Sequence, residues 1–273
     1  MVTSGLFMVA LNGVVKHIGS ALPAPQVAFL RYLIGVVFFL PMIAPILRAG
    51  YSGRIWGLFI LRGTGSAAAV GLWFYAMTQI PVAEVSAIGF FSPVLVLVAS
   101  GLLLGEGISL RRMAVVAVAF VGVLAIVRPG LREVTLGHVA QLGAAGCFAL
   151  TYLVAKRLAA ELAPGVIVAM LTFVTTLVLA PIALLDWQPV TPSQLGWLAL
   201  AAVFATLGHY TMTLAFKAAP MFATQPVTFL QIIWATLLGV MLFDEALDPW
   251  VIVGGALIIG AISVNMRLET ARN

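Results

Sequence analysis

Arg62 lies about eight residues into an unbroken apolar stretch, roughly 12 Å along the axis if that stretch is helical. Ser66 and Trp73 follow on its side. An arginine at that depth in hydrocarbon must meet water, an acid, a substrate anion or a neighbouring helix, or else snorkel back to the headgroups on its long stem. Arg31, beside Tyr32, reads as the snorkelling case. A second polar face runs through Thr206, His209, Thr213 and Lys217, spaced i, i+3, i+7, i+11. A third carries Thr224, Thr228 and Gln231 at i, i+4, i+7, with Trp234 one step further round. Such groups, in apolar surroundings, contact a polar ligand or serve as hydrogen-bonding glue between helices. His209 could also titrate near neutral pH. Trp73, Tyr75, Tyr152, Tyr210 and Trp234 supply aromatic faces that could wall a cavity.

Carboxylates are few. Glu84 could couple transport to protons, but Pro81 fits a first helical turn and an acid three residues on stabilises the positive end of a helix dipole. Glu106 and Glu245 end apolar runs, where an acid is unfavourable unless solvated or paired. Arg111 or Arg112 could serve Glu106. Pro93 and Pro226 remove backbone donors inside apolar runs and so free the carbonyls of Gly89 and Phe222, which makes both prolines candidate hinges. Three histidines without metal-ligand spacing and a single cysteine, Cys147, argue against a metal site, and no cofactor motif is present. Gly63-x-Gly65-x-x-Ala68 imitates a dinucleotide fingerprint without the preceding strand. The chain is not read as an enzyme.

The elements that hold these residues follow from composition. Of 273 residues, 63% are hydrophobic and 8% charged. That leaves too little polar surface to face water, so lipid is the solvent for most of the chain. Breaks at charges, prolines and glycines divide it into ten spans: 3–19, 26–47, 54–79, 82–104, 110–127, 136–158, 164–185, 194–217, 220–243 and 249–266. The net charge of +5 is a topology signal rather than a nucleic-acid signal. Nine bases fall on the side of the termini and three on the other, which puts both termini in the cytoplasm of an inner-membrane protein. Spans five and ten are apolar all round and suit lipid or a second copy of the chain.

The stretch FSPVLVLVASGLLLGE, ending at Glu106, returns 139 residues later as LQIIWATLLGVMLFDE, ending at Glu245. At that offset Ala76 meets Ala215, Pro81 meets Pro220, Phe90 meets Phe229 and Arg128 meets Arg267. At an offset of 140, Val14 meets Val154, Lys16 meets Lys156 and Pro41 meets Pro181. The repeat divides the chain at 1–130 and 131–273, with five spans in each part. An odd number inverts the second copy in the bilayer. The expected architecture is therefore an all-α integral membrane protein of ten helices in two inverted five-helix repeats, a plan common among secondary transporters.

The residues also carry a family resemblance. Tyr75-Ala76 before Pro81, Ser92-Pro93, Gly105-Glu106 and Arg128-Pro129-Gly130 resemble the EamA-like repeat of the drug/metabolite transporter superfamily. So do Gly208-His209, Ala215-Phe216, Ala219-Pro220, the run Gln231-Ile232-Ile233-Trp234-Ala235, and Asp244-Glu245. The N-terminus is shorter than the family pattern. The resemblance implies ten helices around a cavity built by helices one, three, four, six, eight and nine, and carriage of organic solutes. Asn12, on the first helix, joins the substrate-contact candidates on that ground. The full set is Asn12, Arg62, Ser66, Trp73, Tyr75, Tyr152, His209, Thr213, Thr228, Gln231 and Trp234. An amino acid-like solute is the leading substrate. A vitamin- or nucleoside-like metabolite, and a scaffold that moves nothing, are the alternatives. The expected partners are a small-molecule substrate and the bilayer, with a homodimer left open and no nucleic acid.

Overall fold

A computed structural model describes residues 1–18, 22–80, 85, 88–103, 109–127, 135–243 and 249–270. Glu84, Glu106, Glu245, Pro81 and Arg128 lie outside them, as do the side chains of Lys16, Arg111 and Arg112. Every regular element among the described residues is helical. Its helices are α1 (Val2–Ile18), α2 (Ala24–Arg48), α3 (Gly53–Gln79), α4 (Phe91–Leu103), α5 (Leu110–Val127), α6 (Leu136–Ala159), α7 (Pro164–Ala183), α8 (Pro192–Ala218), α9 (Met221–Thr228), α10 (Leu230–Phe243) and α11 (Pro249–Thr270). Six candidate spans are long and apolar enough to cross a bilayer, one of them running through α9 into α10, and four shorter apolar helices accompany them. Exposed Leu, Val, Ile and Phe side chains ring the bundle on nearly every helix, as a lipid solvent requires.

Helix ends are written locally. Prolines stand at the starts of α2, α7 and α8, where a missing N–H costs nothing. Thr191 and Gln194 form a capping box at the start of α8. The C-terminal ends of α3 and α8 are built alike. Ile80 and Ala219 are both extended, with φ −134° and −146°, and each returns its N–H to the carbonyl four residues back. Each is followed by a proline.

Two pairs of helices run antiparallel. On α1 and α8, Ser4 Oγ donates to the Gly208 carbonyl at 2.9 Å, Phe7 stacks on Phe204, and His17 lies against Trp197. On α3 and α6, Gly65 faces Thr151, Leu72 faces Gly143, and Gln79 faces Gly137. Gly63 lets α3 press on α7, since a Cβ there would stand 2.4 Å from Val174. The Thr175 hydroxyl then donates to the Gly63 carbonyl at 3.2 Å.

Spans five and ten correspond to α5 and α11, and these pack on each other. Gly122 permits the closest approach, for a Cβ there would come within 2.8 Å of the Gly254 carbonyl and 2.9 Å of Ile258. Val115, Val116, Ala119, Ile258 and Ala261 form the seam, together with Leu97 of α4, Ile232 of α10 and Phe229 between α9 and α10. Their outer faces, including Val121, Ile252 and Ile259, are exposed.

Candidate functional site

The centre of the bundle is assembled from α2, α3, α6, α7 and α8. Arg62 is only 2% exposed. Its Nη1 donates to the Ile167 carbonyl in the first turns of α7 at 3.0 Å, so the arginine braces one helix on another rather than snorkelling. One turn on, Ser66 Oγ and Tyr32 Oη share a hydrogen bond of 3.2 Å, with both side chains buried. Arg31 folds its guanidinium over the Tyr32 ring, 4.0 Å from the centroid, an arrangement in which the ring quadrupole attracts the cation. Arg31 itself stays part-exposed.

Tyr152 joins the group from α6. Its ring stacks on Phe148 and meets Phe216 edge-on, at centroid separations of 6.2 Å each. Arg62 interacts electrostatically with both Tyr32 and Tyr152, and His209 with Arg62 and Arg31. Arg31, Tyr32, Arg62, Ser66, Tyr152 and His209 therefore form one neighbourhood holding two cations. Among the described residues the ion pair present is Arg54 with Glu161, at the exposed start of α3. A low-dielectric surround with two guanidinium groups favours an anion far more than water would.

The remaining candidates distribute around this centre. Thr213 is fully buried but spends its hydroxyl on the His209 carbonyl at 2.7 Å. Thr228 likewise donates to Gln225 at 2.6 Å, and Thr224 turns to carbonyls of its own helix. Gln231 lies against α1, with its Cγ 3.0 Å from where a Gly5 Cβ would stand. The adjacent Ser4 bonds Gly208, so α1 bridges Gln231 to the turn that carries His209. Asn12 is exposed on α1, between the face that meets α8 at Met8 and the face that meets α10 at Gly5 and Gly13. Trp73 is half-buried against the Phe74 ring at 4.8 Å, some three turns beyond Arg62. Tyr75, nearby, is 45% exposed.

Five buried polar atoms lack a partner among the described residues: Ser92 Oγ, Gln141 Oε1, His209 Nδ1, Gln225 Oε1 and Trp234 Nε1. Buried groups of this kind are rare and call for an explanation such as water or a ligand. Gln141 and Gln225 were missed from sequence, although an amide inside an apolar span is the signal that singled out Gln231. Gln141 Nε2 donates to the Val85 carbonyl at 3.0 Å and approaches Gly89. Just beyond, the backbone turns at Phe90 before α4 begins; Pro93 sits in the first turn of α4. Pro226 lies inside α9, and that helix is interrupted after it, at Phe229.

Known proteins resemble this chain along its length. A riboflavin transporter of Vibrio cholerae is 26% identical across all of this chain and 93% of its own. A pseudopaline exporter of Pseudomonas aeruginosa is 28% identical over 92% of this chain and 89% of its own. An S-adenosylmethionine uptake transporter of Rickettsia prowazekii is 25% identical over 90% and 84%. One protein of known crystal structure superposes with a TM-score of 0.82 over 97% of this chain and 94% of that one, at 20% identity, and so shares the fold. The sequence matches the EamA-like transporter family twice, over residues 1–128 and 135–267. The chain belongs to the EamA-like transporter family.

Proposed function

We propose that this protein is a secondary transporter that moves a small organic metabolite across the inner membrane. It works by alternating access between two inverted halves, residues 1–130 and 131–273, with ten crossings and both termini cytoplasmic. The observation that carries the reading is the meeting of repeat-equivalent residues. Phe90 and Phe229, 139 apart, have ring centroids 5.8 Å apart. Two equivalent residues can touch only near the axis that relates them. Gly122 meets Ile258, the equivalent of Ala119, so α5 and α11 pack about the same axis. The α1–α8 interface has its equivalent in the α6–α3 interface. Helix interruptions at Phe90 and Phe229 also correspond. A pseudo-two-fold axis in the membrane plane, with broken helices beside it, is the plan on which inverted-repeat transporters bind solute near the midplane.

The favoured solute is amino acid-like. Its carboxylate meets Arg31 and Arg62, and its apolar body meets Tyr152 and the neighbouring Phe148 and Phe216. Uptake and efflux in proteoliposomes across an amino-acid and metabolite panel tests this. Arg62→Gln is expected to raise KM for a carboxylate solute by about tenfold or more, the worth of one charge-assisted hydrogen bond. A protein that moves none of the panel in either direction would leave the scaffold reading in its place. The unpaired Gln141 and Gln225 oxygens and the Trp234 N–H support a second reading, a flat vitamin- or nucleoside-like metabolite recognised by neutral groups. Relatives named for riboflavin and S-adenosylmethionine support it too. Movement of an uncharged ring system with no movement of carboxylates would decide for that reading.

A further inference from the structure

Two oxygens in the seam where α4 packs on α6 have no hydrogen-bond partner among the described residues, although both side chains are sealed from solvent. They are Ser92 Oγ and Gln141 Oε1, on residues 4% and 2% exposed. A serine inside a helix can bond back to its own preceding turn, as Ser100 does to the Leu97 carbonyl at 3.1 Å. Ser92 makes no such bond. Contacts along the two helices advance together: the Gln141 amide lies against Gly89, and Val96 shares a cluster with Ala149 and Leu153. Ser92 falls between those contacts. Pro93 has no N–H to close a turn on the Gly89 carbonyl, which leaves a further acceptor in the seam.

An aromatic face stands beside these oxygens. Trp73, half-buried, packs against the cluster of Ala76, Ile80, Val85 and Ala140, and Val85 is the residue whose carbonyl holds Gln141 at 3.0 Å. The place is remote from the arginines. Trp73 follows Arg62 by eleven residues on α3, and Gln141 precedes Tyr152 by eleven on α6, each about 16 Å of helix. The antiparallel contacts of Gly65 with Thr151 and of Leu72 with Gly143 set those two intervals side by side.

We infer that Trp73, Gln141 and Ser92 form a second solute subsite, which takes a neutral planar ring bearing N–H donors. The indole offers a stacking face. Gln141 Oε1 and the Gly89 carbonyl accept what the ring donates, and the Ser92 hydroxyl gives or takes as the ring requires. Among the described side chains the carboxylates are those of Glu161 and Asp186, both exposed, so a cation in this seam would be desolvated without a counter-charge. The inference rests on the transporter reading above and adds to it a place for a ring apart from the arginines. A solute that reaches both places is about 16 Å long, and a free amino acid touches only one.

The probe is lumazine, a planar bicyclic dione with two ring N–H donors. Its N-dimethylated form has the same ring and no donor. Calorimetric titration in detergent, at a pH where lumazine is neutral, is read as the ratio of the two dissociation constants. The unsubstituted protein is expected to prefer lumazine by about tenfold, the worth of one or two neutral hydrogen bonds. Ser92→Ala deletes an atom that bonds nothing in the protein, so the melting temperature is expected to hold while the preference falls about threefold. Gln141→Leu is expected to remove most of the preference, and a ratio taken on one folded protein is not moved by its lower stability. Trp73→Leu is expected to weaken both ligands about fivefold or more and to keep their ratio, because stacking does not depend on the N–H groups. Equal binding of the two ligands, binding of neither, or a preference that both Ser92→Ala and Gln141→Leu leave untouched would overturn the subsite and assign its oxygens to buried water, while solute movement in proteoliposomes would still stand. Binding of tetramethylammonium that Trp73→Leu abolishes, with none of lumazine, would overturn the ring in favour of a cation. The expected preferences in a protein that moves no solute would keep the ring site and remove transport instead.

Discussion

Gln141 Nε2 donates to the carbonyl of Val85 at 3.0 Å, joining α6 to the segment that precedes the interruption at Phe90. The amide is 2% exposed. Its other end, Oε1, faces no donor among the described residues. One half of the side chain thus braces a broken helix while the other half is left for water or solute. Gln141→Leu keeps the volume and removes both roles. Its expected cost is roughly 1–3 kcal/mol, for a carbonyl left unmet in the interior. A lowered melting temperature in detergent, with solute affinity reduced as well, is the expected result. Unchanged melting would mean that the Val85 carbonyl is satisfied elsewhere.

Arg62 predicts a different split. Its Nη1 holds the Ile167 carbonyl and its charge faces the same centre as Arg31 and His209. Arg62→Met removes the brace and the charge together; Arg62→Lys keeps a charge but loses the planar fork. The methionine variant is expected to lose both stability and carboxylate affinity. The lysine variant is expected to retain part of the affinity and to lose stability. Removing a buried charged donor strands its acceptor and costs roughly 1–3 kcal/mol. Thermal unfolding alongside substrate-protection measurements separates the two effects. Equal transport by all three proteins would remove Arg62 from the solute site.

Much of this arrangement is legible before any coordinates. Continuous apolar runs bounded by prolines and charges give most helices to within about two residues, because lipid permits little else. But the run 82–104 yields a helix only from Phe91, the run 220–243 is split at Phe229, and the last helix runs on to Thr270. The repeat anticipates that Phe90 and Phe229 correspond. What the pattern does not contain is rotation. That Tyr32 meets Ser66 depends on how α2 turns against α3, and the apolar pattern of either helix leaves that turn open. The threonine stripes leave open, for a related reason, whether they serve packing or a ligand. Thr213 and Thr228 share a face with other polar groups, but each hydroxyl can bond a carbonyl of its own preceding turn, and does. The two prolines free carbonyls one turn upstream, at Gly89 and Phe222, without fixing where the helix is interrupted. The interruptions fall at Phe90, ahead of Pro93, and at Phe229, beyond Pro226. The interruptions occupy repeat-equivalent positions, and the two phenylalanines there pack on each other.

Close helix contact gives a graded pair. A methyl at position 63 would stand 2.4 Å from Val174 Cβ, which sits rigidly on α7. A methyl at position 65 would stand 3.0 Å from the end of the Thr151 side chain. Gly63→Ala must push α3 from α7 and is expected to cost roughly 1–3 kcal/mol. Gly65→Ala asks only that a side-chain methyl give way, and is expected to cost less. The ranking of the two melting temperatures checks this, and a reversed order would mean that α7 rather than Thr151 is the softer neighbour.

The last contrast sets a buried clamp against an exposed ion pair. Gln26 is completely buried at the start of α2, and its amide makes two bonds to one residue beyond α7. Nε2 donates to the Gln188 carbonyl at 2.7 Å, and Oε1 accepts from the Gln188 N–H at 2.9 Å. A side chain thereby satisfies both backbone groups of a loop residue that has no helix to serve it. Arg54 and Glu161 form a two-pronged pair at 2.6 Å, but their side chains are 55% and 41% exposed, and water screens them. Such pairs contribute roughly 0–1 kcal/mol. Gln26→Ala leaves two backbone groups unmet and opens a void, so it is expected to lower the melting temperature well below that of Arg54→Ala. The Arg54→Ala effect should shrink further in high salt, because only the exposed pair is exchanged with mobile ions, whereas the Gln26→Ala effect should not depend on salt. A salt-insensitive loss at Arg54, equal to that at Gln26, would show that the shorter distance outweighs burial here.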